Sequence, residues 1–130
     1  MVFVGVGAND HATDGERLAA KVNALRIFDA ADGRMRQGLA DVGGAVLAIP
    51  QFTLYADVRH GRRPEFTAAA APDMGRRLFD AFCGVLRGLG VVVAQGTFGA
   101  SMRVTIEADG PVTIALSTDG WRESDIGGSV

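Results

Sequence analysis

Apolar residues at helical spacing predict a first helix near the start of this 130-residue chain. Thr13 and Glu16 stand three positions apart, which is the spacing of a capping box. Apolar residues then follow at helical intervals: Leu18, Val22 and Leu25. We therefore predict a helix over residues 14–26.

A second helix is predicted where a broad apolar face follows a proline. Pro72–Asp73 suits the first turn of a helix, and Gly90 suits the position just beyond its end. The apolar face between them consists of Met74, Leu78, Phe79, Phe82, Val85, Leu86 and Leu89. Such a face predicts burial against a sheet, with Phe79, Phe82 and the more distant Phe66 in the core.

Three short apolar runs predict strands over residues 2–6, 45–49 and 91–93. The first is predicted to be buried, and the second, Ala45–Ile49, to be buried on both faces. Gly5 either weakens the first strand or marks a close approach of another part of the chain. Pro50 follows the second strand and lacks an N–H group, so the hydrogen-bond ladder must be interrupted there.

Three further segments have strand character. Phe52–Tyr55 is rich in β-branched and aromatic residues, whereas Met102–Ile106 alternates apolar and polar positions. Val112–Leu116 is predicted as the last strand. The order of strands and helices indicates an α/β or α+β domain, with two helices packed on a mixed sheet.

Composition indicates a single globular domain and limits its partners. The net charge of −2 argues against a protein that coats nucleic acid indiscriminately, and we expect no DNA or membrane partner. No apolar run approaches the roughly 18 residues of a membrane span. Cys83 is the only cysteine, which excludes an internal disulfide and fits a reducing cytoplasm.

One local cluster of positive charge stands out. Arg59, His60, Arg62 and Arg63 follow the aromatic segment directly and are bounded by Pro64. A cationic loop beside a rigid element is suited to holding a polyanion, although it can equally be a solvated surface.

The common catalytic and cofactor patterns are absent from the sequence. His11 and His60 are the only histidines, and no G-x-S-x-G turn accompanies them. Cys83 lies on the apolar second helix, so a buried structural thiol is expected. We find no metal-ligand spacing and no phosphate-binding or dinucleotide glycine pattern, and therefore expect no metal and no cofactor.

The segment Gln51–Phe66 and the late segment 108–113 together resemble the D-aminoacyl-tRNA deacylase family. The family pattern reads Ser-Gln-Phe-Thr-Leu-Tyr, then Ala-Asp and Gly-Arg-Arg-Pro, and later Asn-x-Gly-Pro-Val-Thr. This chain has P-Q-F-T-L-Y-A-D, G-R-R-P and A-D-G-P-V-T at the corresponding places. Further short motifs occur in family order: 26–28, 32–33, 43–44, 96–100 and Met102.

The resemblance implies a deacylase-like fold with a barrel-like sheet and a homodimer with its active site at the subunit interface. It also implies hydrolysis of the ester bond in D-aminoacyl-tRNA, which is a chirality-proofreading step. Gln51, Phe52 and Thr53 correspond to the residues that line the ester pocket. The implied tRNA-binding residues are Arg59, Arg62 and Arg63. The deacylase-like domain is expected over residues 1–116, with a polar tail over 117–130.

The resemblance gives Gly110-Pro111 the task of reading chirality. In the family, a cis Gly-Pro pair from the other subunit holds the α-amino group of the substrate through its carbonyls. The 2′-hydroxyl of the terminal ribose is thought to assist the attacking water. On this basis the Gly110-Pro111 bond is predicted to be cis, and the pair is predicted to approach Gln51–Thr53 of the partner. The hydrolysis is predicted to need no side-chain nucleophile.

Each implied site residue also has a structural interpretation. Thr53 suits an ordinary strand, Gln51 can satisfy backbone groups at the break after Pro50, and Gly110-Pro111 suits a plain turn. The departures from the family pattern are Pro50 for Ser, Ala108 for Asn, and no match to a first strand pair containing Gln-Arg-Val. They leave two alternatives open: a related deacylase acting on mischarged L-aminoacyl-tRNA, and a shortened homologue that binds tRNA without catalysis.

Overall fold

A computed structural model describes residues 1–120 of the chain, and residues 121–130, most of the predicted tail, lie outside this range. The two helices are α1 (Ala12–Ala24) and α2 (Pro72–Gly88). The strands are β1 (Val2–Val4), β2 (Phe28–Asp29), β3 (Met35–Gln37), β4 (Ala45–Pro50) and β5 (Val92–Gln95). The predicted α/β class with two packed helices is confirmed.

The strands form two small sheets. β1, β4 and β5 are parallel in the spatial order β1-β4-β5, and β2 and β3 form a separate antiparallel pair. The register places Val2 opposite Ala48 on one side of β4 and Leu47 opposite Ala94 on the other. Within residues 1–120 these sheets do not close into the expected barrel.

Helix α1 begins two residues earlier than predicted because a different residue caps it. His11 is the N-cap, and its backbone N–H donates to the Asp14 carboxylate at 2.8 Å. The Thr13–Glu16 spacing therefore does not form the capping box. Since Asp14 lies in the first helical turn, its negative charge also interacts favourably with the helix dipole.

Helix α2 supplies most of the core, as its apolar face predicts. Phe79, Phe82, Cys83 and Leu86 are fully buried, and they pack with Val46 and Ala48 of β4 and with Ala19 of α1. Pro72 opens the helix, and Gly90 follows its end with a φ of 87°. That left-handed conformation favours glycine and ends the helix sharply.

The helices cover only one face of the parallel sheet. The opposite face exposes Phe3 of β1, Leu47 of β4 and Val92 of β5, together with the small Ala45 and Ala94. The prediction that Ala45–Ile49 is buried on both faces is therefore wrong for Ala45 and Leu47 in the single chain. Parallel sheets are usually covered on both faces, so this open face is unusual.

Three predicted strands have no partner strand and are not strands in the structure. Phe52–Tyr55 forms a 3-10 helix, because Pro50 ends the ladder and the chain turns immediately afterwards. Met102–Ile106 and Val112–Leu116 have no regular secondary structure. We call residues 101–117 the exposed segment, since every side chain in it is exposed. A strand requires a hydrogen-bonded neighbour, and residues 1–120 supply none for this segment.

Candidate active site

The motif residues come together at one edge of the parallel sheet. Because β1, β4 and β5 run in the same direction, their carboxyl ends share an edge, where α/β proteins commonly bind ligands. Gln51 leaves β4 there with its N–H bonded to the Val4 carbonyl at 2.8 Å. The Gly96 N–H bonds to the Ala48 carbonyl at 2.8 Å, which brings the 96–100 motif beside the end of β4.

Gly96 allows a close approach at this edge. A Cβ atom at position 96 would lie 3.3 Å from the Pro50 Cδ atom and 2.8 Å from the Met102 sulfur. A larger residue would therefore push the 96–100 segment away from the start of the Gln51 turn. The sequence places these motifs far apart, and the parallel register brings them into contact.

The predicted pocket residues lie on the 3-10 turn Phe52–Tyr55. The Gln51 side-chain amide donates to the Thr53 hydroxyl, and backbone N–H groups of Leu54 and Ala56 bond back to Gln51 and Thr53 at 3.3 and 3.1 Å. The backbone N–H groups of Phe52 and Thr53 have no acceptor within residues 1–120. Two adjacent unpaired donors can stabilise negative charge on a bound group.

Phe66 lies beside the predicted pocket residues and not in the core. Its side chain is only partly buried, and its ring packs edge-on against the Phe52 ring with centroids 5.0 Å apart. The prediction of a core position is wrong because residues 64–70 run along the outside of the sheet's carboxyl edge. The Phe52–Phe66 pair instead forms an apolar wall next to the Phe52 and Thr53 amides.

The basic loop (residues 57–65) is closed at its base and exposed at its tip. Asp57 and Glu65 exchange two backbone hydrogen bonds of 2.8 and 2.9 Å, and Gly61 has a φ of 71° near the tip. The Arg59 guanidinium binds the Asp57 carboxylate, which lowers the pKa of Asp57 and raises that of Arg59. Arg62 and Arg63 are exposed and have no carboxylate partner within residues 1–120.

Gly110-Pro111 lies apart from the turn. The bond is cis, which confirms that prediction, and both residues are exposed. Apart from its two chain neighbours, the three atoms nearest to a Cβ built on Gly110 all belong to Val112. No hydrogen bond or ring contact links the pair to Gln51–Thr53 within the described chain. The structure of one chain therefore does not bring these two predicted parts of the site together.

The remaining candidates for side-chain chemistry stay separate. Cys83 is fully buried, as predicted, and burial raises the pKa of its thiol, so the neutral form is favoured. His11 and His60 lie in different exposed segments. Residues 1–120 contain no cluster of three side chains suited to a metal ion. None of the helices among these residues could span a membrane.

The anchor of the turn is a feature that the sequence analysis missed. Tyr55 packs against Gly5 and Gly7, and its hydroxyl is hydrogen-bonded to Asp10. Burial raises the pKa of Tyr55, and the negative charge of Asp10 raises it further. The possible signal was the pair of glycines two residues apart at the end of β1, of which only Gly5 suggested a close approach.

Comparison with known proteins decides the family. A family model described as D-Tyr-tRNA(Tyr) deacylase matches residues 1–117. This chain belongs to that family. The D-aminoacyl-tRNA deacylase of Lacticaseibacillus casei is 50% identical over 119 residues, covering 92% of this chain and 80% of the relative. The protein of the same name from Thermomicrobium roseum is 52% identical over 118 residues, covering 91% of this chain and 77% of that relative.

Solved structures support the fold of this deacylase-family chain. One titled "c-Myc DNA Unwinding Element Binding Protein" has a TM-score of 0.82 and 30% identity, covering 89% of this chain and 79% of its own. Another, titled as a probable eukaryotic D-amino acid tRNA deacylase, has a TM-score of 0.66 over 78% of this chain and 75% of its own. At 21% identity, that second likeness concerns the fold alone.

Proposed function

We propose that this protein hydrolyses the ester bond of D-aminoacyl-tRNA, releasing the free D-amino acid and tRNA. The observation that carries the proposal is the Gln51–Tyr55 turn in a chain of the deacylase family. This turn presents two backbone donors, which have no acceptor within residues 1–120, beside an apolar wall. Aminoacyl-tRNA occurs in the cytoplasm, which is the compartment we propose.

The proposed reaction uses the backbone of the turn. Water attacks the ester carbonyl, and the amides of Phe52 and Thr53 donate to the oxyanion of the tetrahedral intermediate. The C–O bond to the ribose then breaks, and the ribose oxygen takes up a proton. The Gln51–Thr53 side-chain hydrogen bond fixes the start of the turn, and the Phe52–Phe66 pair limits access of bulk water.

Chirality selection and assembly form one part of this proposal. Gly110-Pro111 is placed in the exposed segment, away from the turn of its own chain, so we assign it to the pocket of a second subunit. Its carbonyls would accept hydrogen bonds from the substrate ammonium group. A homodimer with two sites at its interface follows from this assignment, and a two-fold axis makes both sites equivalent.

The basic loop is proposed to bind phosphates at the acceptor end of tRNA. Arg62 and Arg63 have no competing carboxylate among residues 1–120, whereas Arg59 is already bound to Asp57 and contributes less. Replacing both Arg62 and Arg63 with alanine should weaken tRNA binding regardless of tRNA sequence and reduce the salt slope by about 1.4–1.8. Arg59→Ala is the matched control and should change the slope by less. Unchanged binding by the double variant would make this loop a solvated surface.

Hydrolysis of matched D- and L-aminoacyl-tRNA by the purified protein tests the function. We expect release of the D-amino acid and little release of its L-form. Thr53→Ala should retain substantial activity, because the backbone donors and the RNA hydroxyl carry the reaction, whereas loss of a nucleophile would abolish it.

Two other outcomes of that assay correspond to the alternatives left open by the sequence. Comparable hydrolysis of both enantiomers would identify a relaxed-chirality editing deacylase, in line with Pro50 at the start of the turn. Binding of tRNA with no hydrolysis of either enantiomer would identify a non-catalytic homologue. Each outcome contradicts the proposed reaction.

A further inference from the structure

The 3-10 turn that carries the candidate site has one inward-facing side chain. Phe52 and Leu54 are each 59% exposed, and Thr53 is exposed as well. Tyr55, the last residue of the turn, is partly buried. Four residues make a short 3-10 helix that is not stable by its own hydrogen bonds. Its position therefore depends on what holds Tyr55.

Tyr55 lies in a seat made by glycine backbone. A Cβ atom at Gly7 would lie 2.7 Å from the Tyr55 hydroxyl oxygen and 3.0 Å from Cζ. A Cβ atom at Gly5 would lie 3.1 Å from both Cε2 of the same ring and the Leu54 Cβ atom. Any side chain at Gly7 would therefore displace the tyrosine, and a side chain at Gly5 would press against the whole end of the turn.

Asp10 joins the tyrosine to this seat. Its carboxylate accepts the Gly7 N–H at 2.8 Å and a hydrogen bond from the Tyr55 hydroxyl. The seat itself is fixed on its other side, where the Ala8 N–H bonds to the Ala68 carbonyl at 2.9 Å and the Ala70 N–H bonds to the Val6 carbonyl at 2.9 Å. One carboxylate thus holds both a backbone loop and the only inward-facing side chain of the turn.

We infer that Tyr55, held by Asp10 and the Gly5–Gly7 backbone, is a positioning residue that sets the location of the Phe52 and Thr53 amides. The inference rests on the proposed function, since it concerns the same turn. Tyr55 does not touch the reacting atoms. It acts by fixing the end of the turn so that the donors at its start point to one place. Catalytic geometry is sensitive to misplacement of about 1 Å, so a loosened turn lowers the rate of the chemical step.

Tyr55→Phe tests this inference with two independent measurements. Amide hydrogen exchange follows the N–H groups of Leu54 and Ala56, which close the turn, and steady-state kinetics on D-aminoacyl-tRNA gives kcat and KM separately. We expect exchange at these two amides to become at least about tenfold faster, as expected for loss of one hydrogen bond to a charged group. We expect kcat to fall by about tenfold and KM to change less than twofold. A purely structural role would lower the folded fraction and accelerate exchange throughout the chain.

Asp10→Asn is the second variant, and it keeps the test decisive if Tyr55→Phe does not fold. Its matched control is Asp29→Asn, because Asp29 is exposed and takes part in no side-chain hydrogen bond within residues 1–120. Asp10→Asn should reproduce both effects of Tyr55→Phe, and Asp29→Asn should reproduce neither. Unchanged exchange at Leu54 and Ala56 in the folded variants would overturn the inference.

Failure of the proposed function is distinguishable from failure of this inference. If the parent protein hydrolyses no D-aminoacyl-tRNA, the proposed function is wrong, and the exchange measurement still decides whether Tyr55 fixes the turn. If the parent is active and the turn loosens while kcat stays constant, Tyr55 holds the turn without positioning the donors, and the inference is wrong.

Discussion

Helix α2 and the exposed segment are both amphipathic in sequence, yet only α2 buries its apolar residues within the chain. Phe79, Phe82 and Leu86 are at most 1% exposed, whereas Val104, Ile106 and Ile114 are between 37% and 53% exposed. A helix forms its backbone hydrogen bonds internally and needs only a surface to pack against. A strand forms its backbone hydrogen bonds with a neighbouring strand, and only then do its alternating side chains pack on two faces of a sheet. The exposed segment has the alternating pattern, but residues 1–120 supply no neighbouring strand for it.

The open face of the sheet makes the same point. Thr105–Glu107 line a groove with Leu47 and Val92, so the exposed segment borders the face that the helices leave uncovered. Exposed apolar side chains thus adjoin one another on this face of the sheet, while the opposite face packs against the helices. A contiguous apolar patch on a folded chain commonly marks an interaction surface. This agrees with the proposed homodimer.

The largest expected effect on stability is that of a substitution in the buried face of α2. Phe82→Ala removes a fully buried ring from the middle of α2 and should lower the free energy of unfolding by about 3–5 kcal/mol. Ile106→Ala, in the exposed segment, should lower it by less than about 1 kcal/mol in the single chain. Urea denaturation at several protein concentrations, extrapolated to zero, measures both. Equal losses would mean that the two regions are equally packed.

The second prediction concerns the exposed side. Ile114→Asp should favour the monomer strongly, because burying an isoleucine contributes about 1.5–3 kcal/mol and a buried carboxylate adds a penalty. We therefore expect the dimer dissociation constant to rise at least tenfold, measured by sedimentation equilibrium. Thr113→Asp is the control, since it places the same charge at the neighbouring exposed position without removing a large apolar side chain. An unchanged equilibrium in Ile114→Asp would exclude this segment from the interface.

The sequence predicted the parts of the fold that depend on local spacing. Both helices and the Gly90 helix end follow from apolar periodicity and glycine placement, and the structure has all of them. The start of α1 was misplaced because two acidic residues compete for the cap, and Asp14 rather than Glu16 forms the bond to the N-cap residue. Differences of one or two residues at a helix end are decided by such single hydrogen bonds.

The candidate site was only partly predictable, for a different reason. Gln51, Phe52 and Thr53 were identified through the family resemblance, but their strand character was wrong, because Pro50 ends the ladder one residue earlier. The seat of Tyr55 could not be predicted, since it depends on β1 and β4 lying parallel and adjacent. Contacts that arise from strand order leave little trace in the spacing of residues along the chain.

The third prediction concerns the buried thiol. Cys83→Ser places a hydroxyl in the core and should cost about 1–3 kcal/mol, whereas Ser101→Cys, the reverse change in the exposed segment, should cost less than about 0.5 kcal/mol. A thiol reagent should modify the cysteine introduced by Ser101→Cys in the native protein, and Cys83 only on unfolding. Rapid native modification of Cys83 would show that the core opens easily.

Cys83 also predicts a pH dependence. Burial raises the pKa of the thiol, so the native state binds the proton more tightly than the unfolded state does. This contribution to stability is complete below the usual thiol pKa of about 8.5 and is lost as the pH rises through the higher native value. The raised pKa of Tyr55 acts in the same direction above about pH 10. Stability should therefore fall on the alkaline side, and less so in Cys83→Ala.

The smallest expected effect is a gain in stability at a helical glycine. A Cβ atom at Gly84 meets no atom within 4 Å, so Gly84→Ala should raise the free energy of unfolding by about 0.5–1 kcal/mol through the lower entropy of the unfolded chain. Two other glycines are the controls. Gly75→Ala places its Cβ atom 3.1 Å from the Phe98 ring, which offsets the gain, and Gly110→Ala meets a φ of 124° that opposes any side chain. Thermal denaturation ranks the three variants. If Gly84→Ala were no more stable than Gly110→Ala, backbone conformation would contribute less to the free energy of unfolding than the surrounding packing does.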